Sequence, residues 1–118
     1  MNVETIREYC LRKPGATEDL PFGDEALAIR VGGKMFALIK IGKGPPRVNL
    51  KCDPALALHL RRKYPAAVIP GFHMNKRHWN TVIPNGTVPD EEIFRMIDHS
   101  YEMVLRGLSR SKREQSTV

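Results

Sequence analysis

Thirteen consecutive residues, PGFHMNKRHWNTV from Pro70 to Val82, hold much of what in this chain could do chemistry. They carry His73 and His78, the only tryptophan (Trp79), the cation pair Lys76-Arg77, and Asn75 and Asn80. Imidazoles can ligate metals or move protons, and amides with cations can meet phosphates and base edges. An exposed indole can stack on a base. A metal site needs more than this stretch offers. The two histidines are five apart, with neither an HExxH pattern nor a Cys/His cluster beside them, so no metal site is expected. Catalysis lacks its usual partners too. No serine sits in a GxSxG setting, the GKG at 42–44 lacks the GxxxxGK[ST] spacing, and no isolated acid pair suggests proton transfer. The expectation is a non-enzymatic protein without a cofactor.

Anion recognition remains, and the charge distribution favours it. The net charge is +6, but residues 30–77 hold eleven Lys/Arg against one acid, Asp53, while both flanking segments carry more acids than bases. So lopsided a middle points to a polyanionic partner such as nucleic acid. Trp79, Thr81 and Ile83 share one side of the alternating HWNTVI run. A tryptophan between polar residues at a strand start is more often buried than displayed. Trp79 is therefore expected as a structural anchor, with Lys76 and Arg77 as the exposed, functional part.

The elements that must position these residues follow from periodicity. Asn2 caps a first helix whose Val3, Ile6 and Cys10 form one stripe, closed by Pro14-Gly15. ALAIRV (26–31) and KMFALIKI (34–41) alternate around Gly32-Gly33, the signature of a tight hairpin. A two-residue turn sets Ile29 opposite Phe36 and Leu27 opposite Leu38 on a bulky face toward the helices. The alanine-rich face is then left to solvent or a partner. RVNLK (47–51) alternates again, and Asp53-Pro54 starts a second helix with Leu56, Leu60 and Tyr64 on its buried side. Arg61, Arg62 and Lys63 complement that helix's dipole. HWNTVIP reads as a strand, Asn85-Gly86 as a turn, and Thr87 with Asp90 as a cap for a last amphipathic helix, where His99 beside Asp98 suggests a structural hydrogen bond. The order of elements predicts an α+β fold, an antiparallel β-sheet with helices packed on one face.

The chain has no run of the roughly 18 apolar residues a membrane span requires. An acidic, h-region-free N-terminus and two isolated cysteines, Cys10 and Cys52, fit a reduced, cytoplasmic setting without a signal peptide.

Five blocks in order, PGATEDLPFG (14–23), VGGKMFAL (31–38), NLKCDP (49–54), PGFHMNKRHWNTV (70–82) and IDHSYEMV (97–104), together resemble the MmcQ/YjbR family of small bacterial proteins. The resemblance implies one domain over residues 1–107 with a CyaY/frataxin-like α/β sandwich; residues 108–118 fall outside it as a polar, basic, disordered tail. It also implies DNA binding through a double-wing arrangement of β-hairpins. One wing would turn at Gly32-Gly33; the other would be the Gly42–Lys51 segment or the turn at Asn85-Gly86. Lys34, Lys40, Lys43, Arg47 and Lys51 would then meet phosphates, with Lys76 and Arg77. Asn49, Asn75 and His78 would supply any contact to base edges. The frataxin likeness raises a rival, metal binding by acidic residues, but Arg7, Arg12 and Lys13 dilute Glu4 and Glu8. Glu18, Asp19, Asp24 and Glu25 make only a modest acidic cluster. A third reading is a protein-interaction module on the open sheet face.

Overall fold

Helix α1 (Val3–Leu11) starts where the Asn2 side chain accepts the backbone N–H of Thr5 at 2.8 Å, and it buries Ile6 and Cys10 from the expected stripe. This computed structural model describes the backbone of residues 1–115 and the side chains of residues 1–108. After α1 come β1 (Ala16–Asp19), β2 (Ala26–Val31), β3 (Lys34–Lys40), β4 (Val48–Lys51), α2 (Pro54–Lys63), β5 (Val68–Pro70), β6 (Trp79–Val82) and α3 (Asp90–Gln115). The strands form one antiparallel sheet in the order β1-β2-β3-β4-β6-β5. The helices cover one face of it, the α+β architecture its sequence predicts.

The core lies between that face and α3. Ile29, Ala37 and Leu50 follow one another across three strands, as do Leu27, Ile39, Val48 and Val82 across four, and all are buried in one cluster with Ile93, Ile97 and Tyr101. The opposite face carries Ala28, Leu38, Asn49, Thr81 and Ile69 in adjacent register.

The β2–β3 hairpin turns at Gly32-Gly33 as expected, both at positive φ, and Arg30 pairs with Met35. Beyond that pair the register slips. Ile29 meets Ala37 rather than Phe36, and Leu27 meets Ile39 rather than Leu38. Phe36 is the extra residue of a bulge, which re-aims side chains locally; here its ring is fully buried. Its carbonyl accepts the hydroxyl of Ser100 from α3, and the same Ser100 Oγ accepts the N–H of Lys51 at 2.9 Å. One buried hydroxyl thus joins β3, β4 and α3.

Asp53 caps α2 by accepting from Ala55 and Leu56, with Pro54 in the first turn. The helix buries Ala57 and Leu60, not Leu56. Leu56 is turned about 100° from Ala57 around the axis and instead lines a cavity of about 190 Å³ between α2 and α3. The first helical bond of α3 runs from Ile93 N–H to the Pro89 carbonyl, two residues beyond the expected Thr87 cap. His99 does not pair with Asp98: its Nε2 accepts the Asp53 N–H at 3.1 Å, while Asp98 takes the Tyr9 hydroxyl at 2.6 Å. Of the expected tail, Leu108 is half-buried against the core and the helical backbone runs to Gln115; residues 116–118 and the side chains from Ser109 onward lie outside the described residues. Among the described residues no helix is long and apolar enough to cross a membrane.

Candidate nucleic-acid interface

Two segments border the sheet face that the helices leave open: residues 22–25 before β2, and residues 72–73 at the start of the loop between β5 and β6. Between them lies a cleft of about 830 Å³. Ala26, Leu38 and Asn49 floor it, Phe22, Asp24 and Glu25 line one side, and Phe72 and His73 line the other. Lys40, Lys43 and Arg47 border the same cleft.

The Phe72 wall is held by a polar relay across β4 and β6. The Thr81 hydroxyl donates to Asn49 Oδ1 at 2.6 Å and accepts from Phe72 N–H at 2.8 Å, while Asn49 Nδ2 donates to the Phe72 carbonyl at 3.0 Å. The Arg47 guanidinium lies over the Phe72 ring, 4.2 Å from its centroid. His73 packs its ring 4.0 Å from that of Phe72 and has φ 58°, the one positive φ at a non-glycine among the described residues. Such backbone costs on the order of 1–3 kcal/mol and concentrates at binding sites.

The far end of the same loop is tied to α2. Arg61 donates to Asn80 Oδ1 at 2.7 Å, to the Trp79 carbonyl at 3.3 Å and to the Lys76 carbonyl. Gly71 donates to the Trp79 carbonyl at 2.9 Å, so close an approach that a Cβ on Gly71 would fall 2.7 Å from that of Trp79. Trp79 itself is half-buried, and the contacts that fix the loop run through its backbone.

The structure thus sorts the predicted residues into groups. Lys40, Lys43, Arg47 and Asn49 meet at the cleft. Lys34 follows the Gly32-Gly33 turn, at the other end of β3 from Lys40. Lys51 pairs with Trp79 at the far end of β4. Arg77 lies beside Pro54, Leu58 and Arg61 of α2. Lys76 is exposed, and its Nζ donates to the Gly71 carbonyl at 3.1 Å. The side-chain oxygen of Asn75 accepts from Arg77 N–H, and the carbonyl of half-buried His78 accepts from Cys52 N–H. Asn49 cannot read a base edge as predicted. It is 6% exposed, and its amide is spent on Thr81 and Phe72. Asn80 is likewise committed, to Arg61 and the Ala57 carbonyl.

Sequence reasoning missed Phe22, Phe72 and the clasp made by Arg61. A signal for the two aromatics was present: each follows a helix- and strand-breaking residue, in LPFG and PGF, where a large ring has no amphipathic element to join.

The acidic residues do not assemble. Glu18 pairs with Arg7 and Asp19 with Arg30, both at 2.7 Å, and among the described residues no three His, Cys, Asp or Glu come together as metal ligands would. Both cysteines are buried; burial pushes the Cys52 thiol up to about 11 and the Cys10 thiol up to about 12, which leaves neither a ready nucleophile.

Comparison with known proteins gives concordant relatives. The family model YjbR matches residues 11–103. The chain is similar to the uncharacterized protein YjbR of Escherichia coli K12, 36% identical over 114 residues that cover 97% of this chain and 96% of that one. It is similar also to the uncharacterized protein YbdF of Escherichia coli O157:H7, 36% identical over 115 residues, 98% and 92% of the two chains. The crystal structure of Deinococcus radiodurans protein DR2400, with a DUF419 family-model domain, aligns at a TM-score of 0.83 and 39% identity, over 87% of this chain and 78% of that one. A Pseudomonas syringae crystal structure aligns at a TM-score of 0.75 and 29% identity, over 87% and 98%.

Proposed function

This chain belongs to the YjbR family, and from that premise we propose that it is a non-enzymatic DNA-binding protein that holds phosphates on the open face of its sheet. The observation that supports this reading is the grouping of Lys40, Lys43 and Arg47 around one cleft, with no acid paired to any of them among the described ion pairs. A cation without a local partner keeps its charge for an incoming phosphate. On this reading the β3–β4 connection is the operative wing. Lys76 and Arg77, on the α2 side of the loop, contribute little.

Fluorescence anisotropy with labelled DNA, from about 50 to 200 mM salt, tests this. Affinity should fall with a log–log slope of about −0.9 per neutralised phosphate. Lys40→Glu/Lys43→Glu should abolish binding, and Lys76→Glu/Arg77→Glu should leave most of it. Loss only in the second variant would move the site to the 75–78 loop. No binding at low salt would end the reading.

The exposed Phe22 and Phe72 that line this cleft favour one other reading, a protein-interaction module on this same face. An apolar interface answers weakly to salt, so the same titration separates the two.

A further inference from the structure

Phosphate contacts alone leave the shape of the cleft unexplained. A surface that only neutralises a duplex backbone needs cations, not a concavity with aromatic walls. Here Phe22 is 63% exposed and Phe72 44%, a large displayed area for a chain with four phenylalanines. The segments that bear them join or bridge to β2 and β4, two inter-strand spacings apart, or about 10 Å. Phe72 is rigidly presented. Its N–H and carbonyl are both taken by the Asn49–Thr81 relay, Arg47 lies on its ring, and His73 fixes the next turn in left-handed backbone.

We propose that this cleft seats an unpaired base of a single-stranded nucleic acid, stacked on the Arg47–Phe72 pair with its neighbouring phosphates on Lys40 and Lys43. The inference rests on the phosphate reading above and adds what the strand must look like. Aromatic rings and guanidinium planes stack on any exposed base, whereas a base inside a duplex has both faces covered by its neighbours. A volume of about 830 Å³ falls within the range of small-ligand pockets, about 300–1,000 Å³, so it can take an extruded base and sugar. The acids complete the orientation. Asp24 and Glu25 repel phosphate and accept hydrogen bonds from the amino groups of adenine, cytosine and guanine, so the base edge points to the Phe22 wall and the backbone to the cations.

The test compares a labelled single strand of mixed sequence with the same strand annealed to its complement, each titrated at several salt concentrations from about 50 to 200 mM. Wild type is set beside Phe22→Ala and Phe72→Ala, each checked for an unchanged melting temperature, and beside Lys40→Glu/Lys43→Glu. The single strand should bind at least about tenfold more tightly than the duplex. Phe72→Ala should weaken it by about ten- to a hundredfold with no change in salt slope, as loss of one stacking platform does. Equal affinity for both forms, lost in the lysine variant but kept in both phenylalanine variants, would overturn the base pocket and leave the phosphate reading standing. Displacement of the single strand by an equal concentration of mononucleotide would also overturn it, making a free nucleotide the ligand. Absence of any binding would remove both readings together.

Discussion

The Nε of Arg61 donates to Oδ1 of Asn80 at 2.7 Å, fastening α2 to β6 from within the sheet's covered side. The same guanidinium reaches the carbonyl of Lys76 in the loop before β6 and that of Trp79 at the start of β6, so one side chain serves three acceptors. Complementing the helix dipole would have required none of them.

Arg61→Met keeps the apolar stem and removes every donor, leaving Asn80, 2% exposed, with an unanswered oxygen. The expected loss is about 1–3 kcal/mol in urea denaturation. Amides of Gly71 and His78 should exchange faster while that of Val48 changes little. Arg61→Lys should not restore protection, because an ammonium cannot span the same acceptors. Unchanged protection at Gly71 and His78 would refute the clasp.

Ser100→Ala removes the hydroxyl that takes the Lys51 N–H and gives its proton to Phe36. A buried carbonyl and a part-buried N–H lose their partner at once, so about 1–3 kcal/mol of stability should go. Cysteine at this position, a weaker donor of similar size, should recover only part. A neutral Ser100→Ala by thermal melt would mean the bulge stands without its bridge.

Gly32→Ala combines two penalties. Backbone at φ 57° disfavours any Cβ, and an added Cβ would lie 2.6 Å from Leu108 Cδ1. Strain of about 1–3 kcal/mol is expected, with part of it relieved in a Leu108→Ala background. Strict additivity in that double-mutant cycle would show that the two residues do not touch.

Burial holds the His99 pKa below its usual 6.5, outweighing the nearby carboxylate of Asp53, and Arg106 pushes the same way as burial. Only the neutral ring can accept the Asp53 N–H. Above pH 6.5 the ring is neutral whether folded or unfolded, and its contribution is complete. As pH falls below 6.5 the unfolded chain takes up a proton that the folded chain resists, so stability declines until the folded pKa is passed. Wild type should lose more stability than His99→Gln between pH 7 and pH 5, read by urea denaturation. Parallel curves would exclude His99 as the source.

Neither Cys10 nor Cys52 should react with an aromatic disulfide reagent at pH 8 in the native protein, and both should react on unfolding. Rapid labelling of Cys52 without unfolding would show that the α2–α3 cavity opens to solvent.

Local chemistry made much of the fold legible. Asn2 and Asp53 announce their helices, Gly32-Gly33 its turn, and the Ile93–Val104 stripe its buried face. What escaped depends on distant partners. The bulge at Phe36 is secured by a serine 64 residues away. Strand β5 has three residues, one of them Pro70, and gains its identity only by pairing with β6. Asn49 looks like a reader of bases until Thr81, 32 residues on, claims its oxygen. The cations were visible as a block, but not their partition, which follows from the length of β3: its seven residues set Lys34 and Lys40 at opposite ends of one strand.

The strand order has a further consequence while the chain is being made. β1 to β4 form a simple meander, but β4's outer neighbour is β6, which begins only at Trp79. Until that segment leaves the ribosome, β4 is a temporary edge, with hydrogen-bonding groups open to any passing strand. Val48 and Leu50 alone would make that edge sticky. Asn49 between them and Lys51 just after them give the nascent intermediate a polar guard before either residue has its final neighbours.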